Sequence, residues 1–337
     1  MRKSPTGVPT LEMVAARAGV SRATVSRVVN GSPKVTPDVA HAVQEAIEAM
    51  GYVPNRAARS LASRRTQSVA LVVPESAARV FADPFFASVV QGVALSLGET
   101  DYTLTMLIES ELQPGKTRRY LLGGNVDGAL VVSHHTGDHS YASLTDSLPV
   151  VFGGRPIEGN APENHFVDVD NVHAAEIAVE HLIERGRRRI ATIAGPQDMP
   201  PGVDRLAGWR RALERHGLDD SLIEVGDFTP ASGASAMRRL LERGEGVDGV
   251  FVANDQMAIG AYSSIRAAGL SIPGDVAVVG FDDDNYAASA TPPLTTVHQP
   301  SIEMGATMAR VLVDLIEGRP VESVTFLPTN LVVRASA

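Results

Sequence analysis

Seven short apolar runs restrict this fold more than any other feature: SVALVVP, YTLTMLI, VDGALVVS, PVVFGG, RIATIAG, DGVFVAND and VAVVGFD, spread from Ser68 to Asp282. Each is rich in β-branched residues and apolar throughout rather than alternating, which is how a strand buried on both faces reads. Amphipathic helical patterns separate most of them, among them Phe86 to Gly98, Val172 to Arg185 and Leu206 to His216. The alternation predicts an α/β core of doubly wound parallel sheets with helices on both sides, and the runs are numerous enough for two sheets.

Ahead of this core the texture is helical. In TLEMVAARAGVSRATVSRVVN, residues 10–30, Leu11, Val14, Ala15 and Ala18 form one apolar stripe behind a Thr10 cap. Gly19 permits a left-handed turn, and Ser21 can cap a second helix with Val25, Val28 and Val29 on one side. Arg22, Ala23, Ser26, Arg27 and Asn30 lie on the other. Small Ala15 allows close crossing, so the pair has the character of a helix-turn-helix whose second helix enters a major groove; an ordinary helical hairpin is the alternative. Thr36-Pro37 supplies a cap and an N1 proline for a third helix carrying Val39, Val43, Ala46, Ile47 and Met50 up to Gly51. Beyond it, Asn55 can cap a helix through Leu61 that is too short to persist in water without a partner. This segment reads as a conditional hinge, ordered only when its basic side lies on DNA and its Leu61 side meets a partner, or else as a plain linker running into polar residues 63–67.

Charge divides the chain in the same place. Residues 1–65 hold ten Lys and Arg against four acids, +6, whereas the whole chain is −9 and the remainder therefore −15. A basic head on an acidic body suits a phosphate-binding module joined to a domain with another task, because attraction to phosphates is local and screened beyond about 10 Å. Cysteine is absent, which excludes disulfides and thiolate metal sites and fits a reducing compartment. With no apolar h-region at the start and no run of eighteen apolar residues, the expectation is a cytoplasmic protein.

The blocks LEMVAARAGVSRATVSRVVNG and GYVPNRAARSLA, followed by RLAGW, VANDQMAIGA, VVGFDD and PPLTTVHQP, resemble the LacI/GalR (lactose-repressor) family across nearly the whole chain and in the right order. The resemblance implies a helix-turn-helix head over residues 1–53, a hinge helix and linker over 54–66, and an effector-binding and dimerisation domain over 67–337 built like a periplasmic binding protein. Its N-subdomain would span about 67–164 and 295–325, and its C-subdomain about 165–294 and 326–337, with crossovers near 165–170 and 295–300 and a final strand at 329–334. The implied partners are palindromic operator DNA, a small carbohydrate effector and a second copy of the chain, with no membrane and no cofactor. The stop at Ala337 without a terminal heptad helix argues against tetramers.

Residue by residue, the expected DNA contacts are Thr10, Ser21, Arg22, Ala23, Thr24, Ser26, Arg27, Asn30, Asn55, Arg59 and Leu61. Arg22 has the fork that reads guanine O6 and N7, Arg27 reads a base or holds a phosphate, and Ala23 and Thr24 offer methyls to thymine. Arg22-Ala23 stands where the lactose repressor has Tyr-Gln, which predicts a different operator. Leu61, by resemblance, wedges into the central minor groove.

Parallel sheets bind ligands beyond the carboxyl ends of their strands, so the residues following each run are the ones to inspect. They supply a guanidinium, carboxylates, an amide and aromatic faces, the mixture that sugar hydroxyls and ring C–H faces need. The family pattern places effector contacts at Arg205, Asn254 and Asp282, an aromatic stack at Phe228 and a cleft-lining ring at Phe85; Ser133 follows the third run. For Arg205 and Asp282 the alternative is a structural ion pair, and for Phe85, Phe228 and Asn254 packing or capping. Gly154 occupies the place of a sugar-binding Asp in the lactose repressor, leaving room for a larger oligosaccharide. His134, His135 and His139 with Asp282 to Asp284 meet no fixed metal-ligand spacing. No G-x-S-x-G, P-loop or G-x-G-x-x-G after a strand occurs, so no enzyme is expected. Met199 and Pro201, where the purine repressor has hydrogen-bonding Arg and Thr, weigh against a nucleobase corepressor. A sugar-active enzyme with a DNA-binding head is the remaining alternative.

Overall fold

The computed structural model describes residues 9–29, 31–53, 65–108, 115–135, 141, 144–156 and 164–337. The chain forms two compact units that meet in sequence at Thr66 and Gln67. In the first, helix α1 (Leu11–Ala18) starts where Thr10 Oγ1 accepts the Met13 N–H and ends at Gly19, with φ +67°. Helix α2 (Arg22–Val29) starts where Ser21 Oγ accepts the Thr24 N–H at 3.1 Å. Helix α3 (Pro37–Met50) ends at left-handed Gly51, but the Thr36 side chain makes no capping hydrogen bond. The fixed φ of Pro37 is what begins α3, since the N1 position needs no donor. Val14, Ala15, Val25, Val43, Ala46 and Tyr52 form the core of this unit. The expected hinge residues Asn55, Arg59 and Leu61, and Asn30 at the end of the recognition segment, lie outside the described residues.

The second unit contains two six-stranded sheets. Its elements in order are β1 (Ser68–Val73), α4 (Ala77–Ala82), α5 (Pro84–Leu97), β2 (Thr103–Ile108), α6 (Lys116–Tyr120), β3 (Gly128–Val132), β4 (Val150–Gly153), β5 (His165–Val169) and α7 (Asn171–Glu184). There follow β6 (Ile190–Ala194), α8 (Pro200–Arg215), β7 (Ile223–Val225), α9 (Pro230–Glu242), β8 (Gly249–Val252), α10 (Asp255–Ala267), β9 (Ala277–Asp282), β10 (Thr295–His298), α11 (Ser301–Glu317), β11 (Val324–Leu327) and β12 (Asn330–Val332). The first sheet runs β2-β1-β3-β4-β5-β11 and the second β7-β6-β8-β9-β10-β12. Every pairing is parallel except β10 with β12. The uniformly apolar runs become the central strands: β1, β3, β6 and β8 are buried at nearly every residue.

The chain passes between the sheets three times, after β5, after β10 and after β11. The expected subdomain boundaries at 165, 295 and 326 therefore shift: residues 165–169 still pair in the first sheet, 295–298 in the second, and 324–327 form the first sheet's edge. The physical reason is that the last strand of each sheet completes its ladder before the chain leaves from the strand's carboxyl end. Edge strand β11 escaped the sequence reading because it alternates, with Val324 and Phe326 exposed. Helix α11 returns to the first sheet and packs on α5 so closely that a Cβ on Gly92 would fall 1.9 Å from the Ile302 carbonyl oxygen. Among the described residues, no helix is long and apolar enough to cross a membrane.

Candidate ligand cleft and nucleic-acid interface

On the helical unit, α2 presents Arg22, Ala23 and Arg27 to solvent, with Thr24 and Ser26 partly covered behind them. Ser21 and Thr24 are committed to each other, their hydroxyls 2.9 Å apart at the start of the helix. Arg22 pairs with Glu12 at 3.2 Å, both side chains more than half exposed. Such a pair contributes at most about 1 kcal/mol, so Arg22 leaves it readily for a stronger partner. Thr10 keeps its hydroxyl on the α1 cap.

In the second unit the strands of both sheets end at a common cleft. Its cavity volume is about 80 Å³, and the cleft opens to solvent beyond that. Phe85, Ser133, Arg205, Phe228, Asn254 and Asp282, all six of the expected effector residues, line it. Three of them hold backbone conformations that side-chain-bearing residues avoid: Ser133 at φ +59°, Phe228 at +66° and Asp282 at +110°. Strain of this kind costs on the order of 1–3 kcal/mol per residue and persists only where the surroundings impose it. Ser133 directly follows β3, Asp282 ends β9, and Phe228 lies in the loop after β7.

Arg205 organises the floor. Entering from the first turns of α8, it is buried, and its guanidinium lies 3.6 Å over the Phe281 ring. Its Nε donates to Asn171 Oδ1 at 2.9 Å, Nη1 to the Ala253 carbonyl at 2.6 Å and to Asp282 Oδ1 at 3.4 Å, and Nη2 to Gln299 Oε1 at 2.7 Å. Burial lowers the Arg205 pKa, and Asp282, Asp168 and Asp255 counter it. Asp282 is driven well above the carboxylate range by burial, Arg205 opposing while Asp83 and Asp284 reinforce the rise. Asn171 continues the network to Asp168, donating to Oδ1 at 3.1 Å, while Asp168 Oδ2 accepts the Arg155 N–H at 2.8 Å. One chain of polar contacts thus joins the end of β5 in the first sheet to α8 and β9 in the second.

Asn254 serves two masters. Its Oδ1 accepts the Met257 N–H as the cap of α10 and its Nδ2 donates to the Phe228 carbonyl at 3.1 Å, so it caps and holds the strained aromatic at once. Gly154 sits at φ +94°, and an added Cβ would lie 3.7 Å from His134 and 4.0 Å from Asp168. Both are ordinary van der Waals distances, and the positive φ disfavours any side chain there.

Ion pairs between segments of the two sheets flank the cleft's mouth. Arg155, after β4, meets Asp204 of α8 through two hydrogen bonds of 2.7 Å. His135, after β3, lies between Glu75 at 3.0 Å and Asp198 at 2.9 Å. The Glu75 hydrogen bond outweighs burial and, with Asp198, lifts the His135 pKa to about 9. Burial alone would raise Glu75, but hydrogen bonds from His135 and Ser133 and the charges of Arg79 and His135 carry it below its ordinary value. His134 directs Nε2 to the Arg155 carbonyl at 2.9 Å. His134 and His135 thus point to different partners, and His139 lies outside the described residues. No group of three or more metal-type side chains occurs among the described residues.

Sequence reasoning missed Asp168, Asn171 and Gln299, all of which line the cleft, whereas Asp83, also in the lining, was among the residues expected after the first strand. A signal existed for two of them. Asp168 interrupts the apolar strand HFVDVD near its carboxyl end, and Gln299 stands where the chain leaves β10.

A family model described as bacterial regulatory proteins, lacI family, matches residues 10–55, and one described as periplasmic binding protein-like domain matches residues 179–337. Among curated proteins, the chain is 49% identical to the HTH-type transcriptional regulator CelR of Thermobifida fusca over 97% of this chain and 98% of that protein. It is 34% identical to the ribose operon repressor of Escherichia coli over 91% and 93%. Among solved structures, it is similar to a CelR–cellobiose complex (47% identity, TM-score 0.78, 98% and 100% covered). It is also similar to the lac repressor dimer bound to operator and the anti-inducer ONPF (29% identity, TM-score 0.86, 98% and 99% covered).

Proposed function

The chain belongs to the lacI family of bacterial regulatory proteins, and from that premise we propose that it is a homodimeric operator-binding repressor of carbohydrate uptake or catabolism genes, relieved by a cellobiose-like oligosaccharide in the cleft. The observation that carries this reading is the convergence of three strained residues, Ser133, Phe228 and Asp282, on one cleft with Arg205 and Asn254. Hydroxyls of a sugar can accept from the arginine and the amide and donate to the carboxylates, and a ring face can lie on Phe228 or Phe85. Gly154, in the cleft lining, puts no side chain in the way of a second ring.

On the DNA side, two copies of α2 would read the half-sites of a palindrome, Arg22 supplying the bidentate contact to guanine. Arg27, Ser26, Thr24, Ala23, Ser21 and Thr10 complete that surface. Asn30, Asn55, Arg59 and the Leu61 wedge belong to the same proposal and lie outside the described residues. Ligand in the cleft would shift the first-sheet halves of the dimer, separate the paired hinges and release the operator. The protein would work in the cytoplasm and leave its sugar unaltered.

The test is fluorescence anisotropy of labelled operator titrated with cellobiose, a monosaccharide and a purine. Coupling of about 1–3 kcal/mol predicts a change in operator affinity of about 5- to 150-fold with cellobiose. If only the purine changes affinity, the nucleobase alternative replaces this reading; turnover of any sugar by the pure protein would establish an enzyme.

A further inference from the structure

We infer that the cleft admits only uncharged sugars and rejects their phosphate esters, so that the protein senses an oligosaccharide before any phosphorylation. The inference rests on the cleft being the effector site proposed above and concerns the chemical state of what it takes.

Among the described residues, the cations that line or flank the cleft are already held by the protein. Arg205 directs its N–H groups to Asn171, the Ala253 carbonyl, Gln299 and Asp282. Arg79 faces Glu75 at 3.5 Å, Arg155 grips Asp204 with both ends of its fork, and His135 lies between Glu75 and Asp198. Against Arg79 and Arg205, the lining carries Asp83, Asp168 and Asp282.

A phosphate group binds where unengaged guanidinium or ammonium groups, or a helix N-terminus, are aimed at it. Two helix starts here are spent on side chains: Asp83 Oδ1 takes the Phe85 N–H at the start of α5, and Asn254 takes the Met257 N–H at the start of α10. The third, that of α8, has no side-chain cap but opens on Pro200 and Pro201, which have no N–H to offer an anion. A dianion entering this cleft would have to break an ion pair at its own expense or lie against carboxylates. Burial raises Asp83 and Asp168, as it does Asp282, so these groups already sit where negative charge is poorly accommodated. Hydroxyls face no such conflict, because a carboxyl accepts or donates to them in either protonation state.

The consequence places the protein in a reaction sequence. Its effector must be supplied by uptake that leaves the sugar chemically unchanged. Any step that transfers a phosphoryl group to a hydroxyl, or splits the glycosidic bond with phosphate to give a sugar 1-phosphate, removes the signal.

Calorimetric titration of the full chain at constant ionic strength tests this with four probes: cellobiose, cellobiose phosphorylated at a 6-hydroxyl, glucose 6-phosphate and inorganic phosphate. The expected result is binding of the neutral disaccharide, with the phosphorylated form weaker by about 100-fold or more, as like-charge juxtaposition implies. The two simple phosphates should give no saturable heat. Asp83→Asn should narrow the gap between the disaccharide and its phosphate. Equal or tighter binding of any phosphorylated probe overturns the inference. Silence from cellobiose together with silence from all three phosphates defeats the proposed effector while leaving the exclusion of anions standing.

Discussion

The recognition helix and the cleft floor use similar side chains in opposite ways. On α2, Arg22 and Arg27 stand in solvent, and the single ion pair of Arg22 is exposed on both sides. In the cleft, Arg205 is buried and makes hydrogen bonds to four protein partners. The difference follows from the partner each awaits. DNA brings its own charge and its own ordered edges, so a solvated arginine loses little by waiting for it. A small sugar offers only neutral hydroxyls, and a floor that had to organise itself on binding would consume most of the affinity such contacts yield.

The sharpest way to break the comparison is to delete one arginine of each kind. Arg205→Ala leaves Asn171, Gln299, Asp282 and the Ala253 carbonyl without a donor in the interior. Removing one member of a buried charged network costs about 3–5 kcal/mol, so urea unfolding of the core should shift to markedly lower midpoint, and sugar response should vanish. If Arg205→Ala unfolds like the parent, the floor is not held by this network.

Arg22→Ala should do the converse. Its thermal unfolding should match the parent, because the Glu12 pair is exposed, whereas loss of a bidentate base contact should weaken operator binding by about 1–3 kcal/mol and relax specificity at one base pair. A panel of operator variants read by anisotropy separates these effects; a loss equal on every sequence would assign Arg22 to a phosphate instead.

The contrast also explains what the sequence disclosed. Helices α1 and α2, with Thr10, Ser21 and Gly19 at their ends, were legible because caps and apolar spacing are local. The central strands were legible because burial on both faces leaves an unbroken apolar run, as in β3, where every residue is buried. Arg205, Asn254 and Asp282 emerged through motif resemblance and their position after strands. Asn171 and Gln299 did not, since their roles exist only where the chain crosses between sheets and each meets a guanidinium 34 or 94 residues distant. The ion pairs of Arg155 and His135 were equally hidden, because they join loops of two sheets that the sequence does not bring together. Thr36 teaches the reverse: a capping residue in the right place makes no side-chain cap, although Asp83 and Thr229 do cap helices that likewise begin at a proline.

A smaller effect is expected at His135, which belongs to the mouth and is intermediate between the two extremes. Its pKa is raised from an ordinary 6.5 to about 9. A histidine raised on folding contributes stability that is fully present below its unfolded pKa and is lost as pH climbs through its folded one. The core should therefore lose melting temperature between about pH 6.5 and 9 through this group. In His135→Gln that part of the slope should disappear while the rest of the profile is kept. Unchanged slopes in the two proteins would show that the Glu75 and Asp198 contacts do not hold the proton.

The smallest effect separates geometry from burial. Arg155 and Asp204 form the best-aligned pair of the mouth, with two contacts of 2.7 Å, yet the Arg155 side chain is 39% exposed. Alignment argues for a strong pair and solvent for a weak one. Screening decides it: a double-mutant cycle with Arg155→Met and Asp204→Asn should give a coupling of no more than about 1 kcal/mol that shrinks as salt is added. Coupling persisting in molar salt would mean that the mouth is drier than its exposure implies, and would move this pair from the class of Arg22 to that of Arg205.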